Sequence, residues 1–412
     1  MKILSFSVYS YPESVAGSHL GQNINQAFAQ AGFEMISHVP MPSRGITNKQ
    51  RTEYKKKRIE KLNNGHRTIY RFKMFKEGKN SLQRTLRYFI CNVIQFFLGS
   101  FTKKVDVIFA SSTPPTQGAT AALVKKVLRK PFIYNLQDIF PDSMVGTGLT
   151  RKGSLVFRIG RIIENFTYRN ADKIIVISED FKQNILAKGV PENKIEVIYN
   201  WVDENAVFPV SVEDNTLINE LQIEPSKFNV VYAGNLGLAQ NVDIIIDAAY
   251  KLKEVQDINF IIFGTGGVEN ELKEKVKKLG LKNVKIYPLQ PYEKVSYVYS
   301  LADVSIVSCK KGLGGSAMPS KTWNIMATGT AVLANFDEDT ELQRIIEREQ
   351  VGVFSKSGDT KAFINATMVL YNDRNKCAEY GKNAREYIIN NLTRSVGTSK
   401  YIGVIHSVVS KV

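Results

Sequence analysis

At 412 residues the chain is long enough for two domains with full hydrophobic cores, and 43% hydrophobic with 23% charged residues excludes an extended disordered polymer. The net charge of +16 is unevenly placed: residues 1–205 carry 31 basic and 16 acidic side chains, whereas residues 206–412 carry 24 and 23. Within residues 44–104 the ratio is 17 to 3, which implies a polyanionic partner, either nucleic acid or an anionic membrane.

Cys91, Cys309 and Cys377 lie far apart, suiting a reducing compartment and excluding a disulfide framework. His19, His38, His66 and His406 show no metal-ligand spacing. Residues 1–9 (MKILSFSVY) alternate like a strand and lack the features of a signal peptide. No run reaches the roughly 18 apolar residues that a spanning helix needs. A cytoplasmic protein is expected.

In chain order, a strand from Lys2 to Val8 leads through YSYPESVAGS into a helix from about His19 to Ala31, ended by Gly32. Gly17 and Ser18 stand where backbone N–H groups could meet a phosphate, and they equally fit a plain turn. A strand at Glu34–Val39 precedes the basic region, whose segment Leu82–Phe101 (LQRTLRYFICNVIQFFLGSF) predicts a helix that is apolar over most of its circumference. Arg84, Arg87, Lys103 and Lys104 mark its ends. It is too short to span a bilayer but can lie in the interface, with Phe89, Phe96 and Phe97 toward lipid. The other reading is a core helix flanked by solvated charges.

Strands then alternate with helices. Val105–Ala110, Pro131–Leu136, Lys173–Ile177 and Lys194–Ile198 read as strands, with helices after Pro115, near Leu155–Arg169 and after Ser178. Such alternation builds a parallel sheet covered on both faces. Asn200–Pro209 breaks the rhythm as a linker, and strands at Asn229–Ala233, Asn259–Phe263, Val284–Tyr287, Val304–Val307 and Ala331–Ala334 resume it. The expected architecture is α/β, with two doubly wound Rossmann-like domains facing a cleft. Ligands of such sheets gather beyond the carboxyl ends of the strands, where the glycine loops fall.

The stretch Ser308–Ala334 (SCKKGLGGSAMPSKTWNIMATGTAVLA) reads as strand, glycine loop, short helix and strand. Its loop lets backbone N–H groups approach a ligand, and Lys321 in the first helical turn opposes the helix dipole unless an anion lies between. Pro319, Ser320 and Lys321 therefore suit a diphosphate clamp, although an ordinary turn with a solvated lysine fits the same letters. No GxGxxG follows the first strand, and no P-loop or GxSxG turn is present, which disfavours nicotinamide binding, P-loop hydrolysis and serine nucleophiles. Phosphate-friendly loops without a nucleophile or metal set suit group transfer from an activated nucleotide, where positioning and leaving-group stabilisation do the catalysis.

The order of YPESVAGS, QDIFPDS (137–143), VISEDFKQNIL, IYNWVD, YAGNLGLAQNVD, FGTGG, LADVSIV and MPSKTWNIMATGTAVLA resembles the retaining glycosyltransferases of family 4, which have the GT-B fold, and among them a WbuB-like subgroup. The resemblance implies an acceptor domain over residues 1–203, a nucleotide-sugar domain over 204–390 and a last helix, 391–412, returning to the first domain. It implies a UDP-sugar donor, with the diphosphate near Gly314, Gly315, Ser316, Pro319, Ser320 and Lys321 and the ribose at Asn324. Gly234, Asn235, Gly237, Gln240, Gly264 and Gly266 would border the donor, and Gly17 and Ser18 would close over it. Asp138 and Lys321 would be catalytic, Asp138 through a sugar or acceptor hydroxyl; a loop carboxylate holding backbone N–H groups is its other reading. The resemblance further implies no metal and no cofactor beyond the donor, with a lipid-linked saccharide acceptor at the inner face of the plasma membrane and no nucleic-acid partner.

Several positions depart from the family pattern. Ser316 and Asn324 replace a glutamate pair, Asn235 and Gln240 replace an arginine and a lysine, and Gln137 replaces a histidine. Two other readings stay open: a UDP-sugar epimerase, and an inactive basic protein that binds membrane or nucleic acid.

Overall fold

The computed structural model describes residues 1–13, 17–78, 80–146, 148, 150–316 and 318–410. The chain divides into two compact units: Met1–Tyr199 with Ser395–Val412, and Asn200–Arg394.

The first unit is built on strands β1 (Lys2–Phe6), β2 (Glu34–Pro40), β3 (Ile59–Leu62), β4 (Arg67–Phe72), β5 (Val107–Ser111), β6 (Phe132–Leu136), β7 (Lys173–Val176) and β8 (Ile195–Val197), in the order β3-β4-β2-β1-β5-β6-β7-β8. All neighbours are parallel except β3 against β4. Central strands are apolar on both faces because both are covered: Leu4, Ile108 and Ile133 are fully buried. One face carries the helices Ser81–Ser100, Thr116–Leu128 and Leu155–Asn170. On the other face, Phe109 packs against Phe28 of the helix Ser18–Gln30 and Tyr401 of the helix Arg394–Val409.

Strand β3 lies inside the run KQRTEYKKKRIEKL, where dense charge hides its alternation. As an edge strand it needs that charge to resist pairing with another chain. Its Glu60 accepts from the buried Arg71 at 2.7 Å, and the Arg71 guanidinium also lies 4.8 Å from the Tyr54 ring centre.

Arg87 is corrected from a headgroup contact to an internal brace. Its side chain is fully buried, its Nε donates to the Phe75 carbonyl at 3.2 Å and its Nη2 to the Met41 carbonyl at 3.4 Å. A guanidinium shut inside the fold cannot reach lipid phosphates. Arg84 and Phe96 are half-buried, whereas Phe89, Phe97, Lys103 and Lys104 are exposed. Among the described residues no helix is long and apolar enough to cross a membrane.

The second unit holds an all-parallel sheet of β9 (Phe228–Asn235), β10 (Ile258–Thr265), β11 (Val284–Tyr287), β12 (Val304–Ser308), β13 (Ala331–Phe336) and β14 (Gly352–Lys356), ordered β11-β10-β9-β12-β13-β14. Its core gathers Val230, Tyr232, Ile245, Phe260 and Ile262 from strands and helix faces. The stretch expected as a linker is built into this unit. Trp201 and Val202 are buried, Val202 forms a bridge with Thr393, and Asp203 pairs with Arg394 at 3.7 Å.

Candidate active site

Beyond the carboxyl ends of β9, β10 and β11 the second unit holds a cavity of about 380 Å³. Ala233, Gly234 and Asn235 form one wall, and Pro319, Ser320, Lys321 and Asn324 from the start of the helix Lys321–Ala327 form the opposite one. Phe263, Leu289, Val295 and Val298 supply an apolar side, and the amides of Gln240 and Gln290 are polar points on the rim. No carboxylate is among these lining residues. Seven of the residues singled out from the sequence meet here: Gly234, Asn235, Gln240, Pro319, Ser320, Lys321 and Asn324.

Lys321 dominates the electrostatics. Its Nζ is shielded from water and has no hydrogen-bond partner among the described residues, although the residue as a whole is only half-buried. The ammonium lies 3.8 Å from the centre of the Tyr232 ring, whose hydroxyl donates to the Asn235 carbonyl at 2.8 Å. A ring face offsets part of the desolvation of a cation but supplies no acceptor. Burial accordingly pushes the lysine pKa from 10.5 down to about 7. An anion entering the cavity would give the ammonium the partner it lacks.

The lysine fits because residue 234 is glycine. A Cβ there would stand 2.8 Å from Lys321 Nζ, and the backbone φ of +148° is one that L side chains rarely adopt. Gly234→Ala is expected to cost about 1–3 kcal/mol through backbone strain and displacement of the lysine from Tyr232. Denaturant unfolding checks this; wild-type stability would separate the glycine from the seating of the lysine.

The loop after β9 is closed by two neutral amides, at the positions where the resemblance leads one to expect an arginine and a lysine. Asn235 Nδ2 donates to Gln240 Oε1 at 3.3 Å, so the two amides close the loop on itself. Ser308 Oγ donates to the Gln240 carbonyl at 2.7 Å, and the Lys310 N–H donates to the Ala239 carbonyl at 2.8 Å. The loop is thereby fixed to the end of β12 without charge.

Other glycines serve the fold. Gly314 is corrected from a phosphate contact, because its N–H and that of Gly312 both donate to Asp337 Oδ2 at 2.8 Å. The anion held by the glycine loop is the protein's own carboxylate. Gly315 stays exposed, and the side chain of Ser316 lies outside the described residues. Gly264 and Gly266 permit close packing: a Cβ would stand 2.6 Å from the Gly234 carbonyl oxygen and 2.3 Å from that of Leu236. Gly237 sits under the Asn235 and Gln240 amides in the same way. Gly237, Gly264, Gly266, Gly314 and Gly315 are not among the described residues that line the cavity.

In the first unit Asp138 follows β6. Its N–H and that of Gln137 converge on Ser112 Oγ at 3.2 and 2.9 Å, and Ser143 Oγ donates to Asp138 Oδ2 at 3.2 Å. Neighbouring protein pushes the Asp138 carboxyl pKa up, while the residue stays exposed. Asp142 contrasts with it: burial alone would raise its pKa, but Lys188 and Arg161 outweigh that and hold it below the usual range. Gly17 and Ser18 begin the helix Ser18–Gln30, with Gly17 at a φ of +73° as its cap. Sequence reasoning missed Phe263, Leu289, Gln290, Val295, Val298 and Tyr299, because strand ends and apolar helix faces carry no motif.

Two α/β units built on largely parallel sheets are an architecture that the chain shares with solved GT-B structures. The architecture matches sucrose-phosphate synthase from Thermosynechococcus elongatus, with a TM-score of 0.76, 16% identity and full coverage of both chains. HepE from Anabaena, crystallised with UDP-glucose, superposes with a TM-score of 0.70 at 17% identity, covering 99% of this chain and 100% of that one. The family models for glycosyltransferase family 4 and for glycosyl transferases group 1 match residues 22–206 and 213–387. The putative colanic acid biosynthesis glycosyl transferase WcaI of Escherichia coli is 26% identical over 356 residues, 84% of this chain and 86% of the relative. The chain belongs to the family 4 glycosyltransferases.

Proposed function

We propose that this enzyme is a retaining, metal-independent glycosyltransferase that moves a hexose or modified hexosamine from a UDP-sugar to a lipid-linked oligosaccharide in the synthesis of a bacterial surface polysaccharide. The observation that carries this reading is the buried Lys321 Nζ, without an acceptor among the described residues, in a cavity whose described lining holds no carboxylate. The donor's diphosphate is the acceptor it lacks, and the apolar side formed by Phe263, Leu289, Val295 and Val298 suits a flat nucleobase. The UDP-glucose complex of HepE supports the choice of nucleotide, and the polysaccharide named for WcaI supports the kind of product.

In this scheme the acceptor hydroxyl attacks the sugar carbon on the face that UDP leaves. The bond from that carbon to the β-phosphate oxygen breaks, the new glycosidic bond forms, and the hydroxyl proton passes to the departing phosphate. Lys321 stabilises the charge that builds on the diphosphate, and Asn324 binds a ribose hydroxyl. Asp138 positions a sugar or acceptor hydroxyl. The exposed Phe89 and Phe97, with Lys103 and Lys104 beyond their helix, support association with the inner face of the plasma membrane, where a lipid-linked acceptor is found.

Thermal unfolding with UDP, UDP-glucose, UDP-N-acetylglucosamine and GDP tests the donor. A nucleotide at a hundred times its dissociation constant adds about 2.7 kcal/mol to the stability, so UDP compounds should raise the melting temperature and GDP should not. Stabilisation by GDP alone, or by none of the four, would reject a UDP-sugar donor.

A further inference from the structure

The exposed apolar surface of the first unit is wider than one helix. On the helix Ser81–Ser100, Leu82, Leu86, Phe89, Val93 and Phe97 recur at helical spacing with Leu82 77% and Phe89 65% exposed. The helix Leu155–Asn170 repeats the pattern with Leu155, Ile159 and Ile162, of which Leu155 is 73% and Ile162 68% exposed. Between them lies the helix Thr116–Leu128, with Leu123 and Val127 turned outward. Single exposed leucines are ordinary, but three adjacent helices with apolar stripes on their outer sides form a continuous patch.

The charges around the patch are mainly basic, and the nearby Asp172 and Asp142 are paired with Lys125 and Arg161. Lys103 and Lys104 follow the first helix, Lys126 and Arg129 stand at the end of the second, and Arg158 is exposed on the third. The only carboxylate in the three helices is Glu164, which is buried and paired with Arg161 and Lys188. We infer that this whole three-helix face docks on an anionic phospholipid bilayer, with Leu155, Ile159 and Ile162 entering the interface beside the 81–100 helix. The inference rests on the membrane association proposed above and enlarges it from one helix to a face. Apolar side chains then replace water with acyl chains while the basic rim meets lipid phosphates. A two-fold dimer through the same patch would set basic rim against basic rim, which disfavours a second copy as the occupant.

Flotation of the full chain with phosphatidylcholine vesicles, with and without phosphatidylglycerol, tests this. Wild type should float with the anionic vesicles, and Ile159→Glu/Ile162→Glu should lower that partition about tenfold or more, as Leu86→Glu/Phe89→Glu should. These sites are exposed, so thermal unfolding of both variants should match wild type. Ile162→Trp gives a local readout, because the chain's two tryptophans, Trp201 and Trp323, are buried in the other unit. Its emission should shift to the blue with anionic vesicles. Wild-type flotation by the Ile159/Ile162 variant, with no blue shift in Ile162→Trp, would overturn the three-helix face and leave a single-helix anchor. Failure of wild type to float would reject the membrane reading itself, and a vesicle-free dimer broken by the Ile159/Ile162 variant would assign the patch to a second copy.

Discussion

Lys321→Met is expected to lower the transfer rate about a hundred- to a thousandfold, the usual effect of removing one group that stabilises transition-state charge, while making the ligand-free protein more stable. The two effects have one cause. The Lys321 Nζ is buried with no acceptor among the described residues, so the fold carries an uncompensated amine that methionine would replace with packing of similar length. The gain should be roughly 1–3 kcal/mol at neutral pH. Its pH dependence follows from the displaced pKa. Between pH 7 and pH 10.5 the unfolded chain keeps a proton on this lysine that the folded chain has lost. Wild-type stability therefore rises with pH across that window relative to the variant, and below about pH 7 the full penalty is present. Binding of UDP should reverse the preference, because a diphosphate beside Nζ favours the charged form; at pH 8 binding should take up a proton, read as a heat that changes with the buffer's ionisation enthalpy. Transfer at the wild-type rate in Lys321→Met, or UDP binding without proton uptake, would remove the lysine from the leaving group.

What the sequence discloses and what it conceals divide along physical lines. Alternation of short β-branched runs with helical segments exposes both parallel sheets, since strands buried on two faces must be apolar throughout. The Ser308–Ala334 stretch is legible because strand, turn and helix follow one another locally, and Lys321 stands out as a cation at a helix start. Contacts between distant residues are not legible. Asp337 occupies the amides of Gly312 and Gly314 from beyond the next strand, and no local pattern announces it. Arg87 is misplaced by its sequence context because a helix apolar around most of its circumference has no evident inner face, and a buried arginine bonding main-chain carbonyls reads like any solvated charge. The apolar side of the cavity stays hidden because Leu289 and Val295 differ in no way from core residues until the strands are aligned.

The last helix gives the largest expected loss of stability. Tyr401 in the helix Arg394–Val409 is 1% exposed, its ring lies 6.3 Å from that of Phe109, and its hydroxyl donates to Asn135 Oδ1 at 3.0 Å. The same oxygen accepts from Gln137 Nε2 at 2.9 Å, on the loop that leads to Asp138. Tyr401→Ala leaves a large cavity beside β5 and should cost about 3–5 kcal/mol. Tyr401→Phe keeps the ring and leaves Asn135 its contact with Gln137, so it should cost only about 1 kcal/mol. The pair distinguishes packing from hydrogen bonding in denaturant unfolding, and activity adds a second comparison. If the tyrosine hydroxyl helps to hold the 137–138 loop, Tyr401→Phe should lower transfer more than its small stability loss explains, with the melting temperature nearly unchanged. Equal losses of stability in both variants would mean that the hydroxyl, and not the buried ring, anchors this helix to the first sheet.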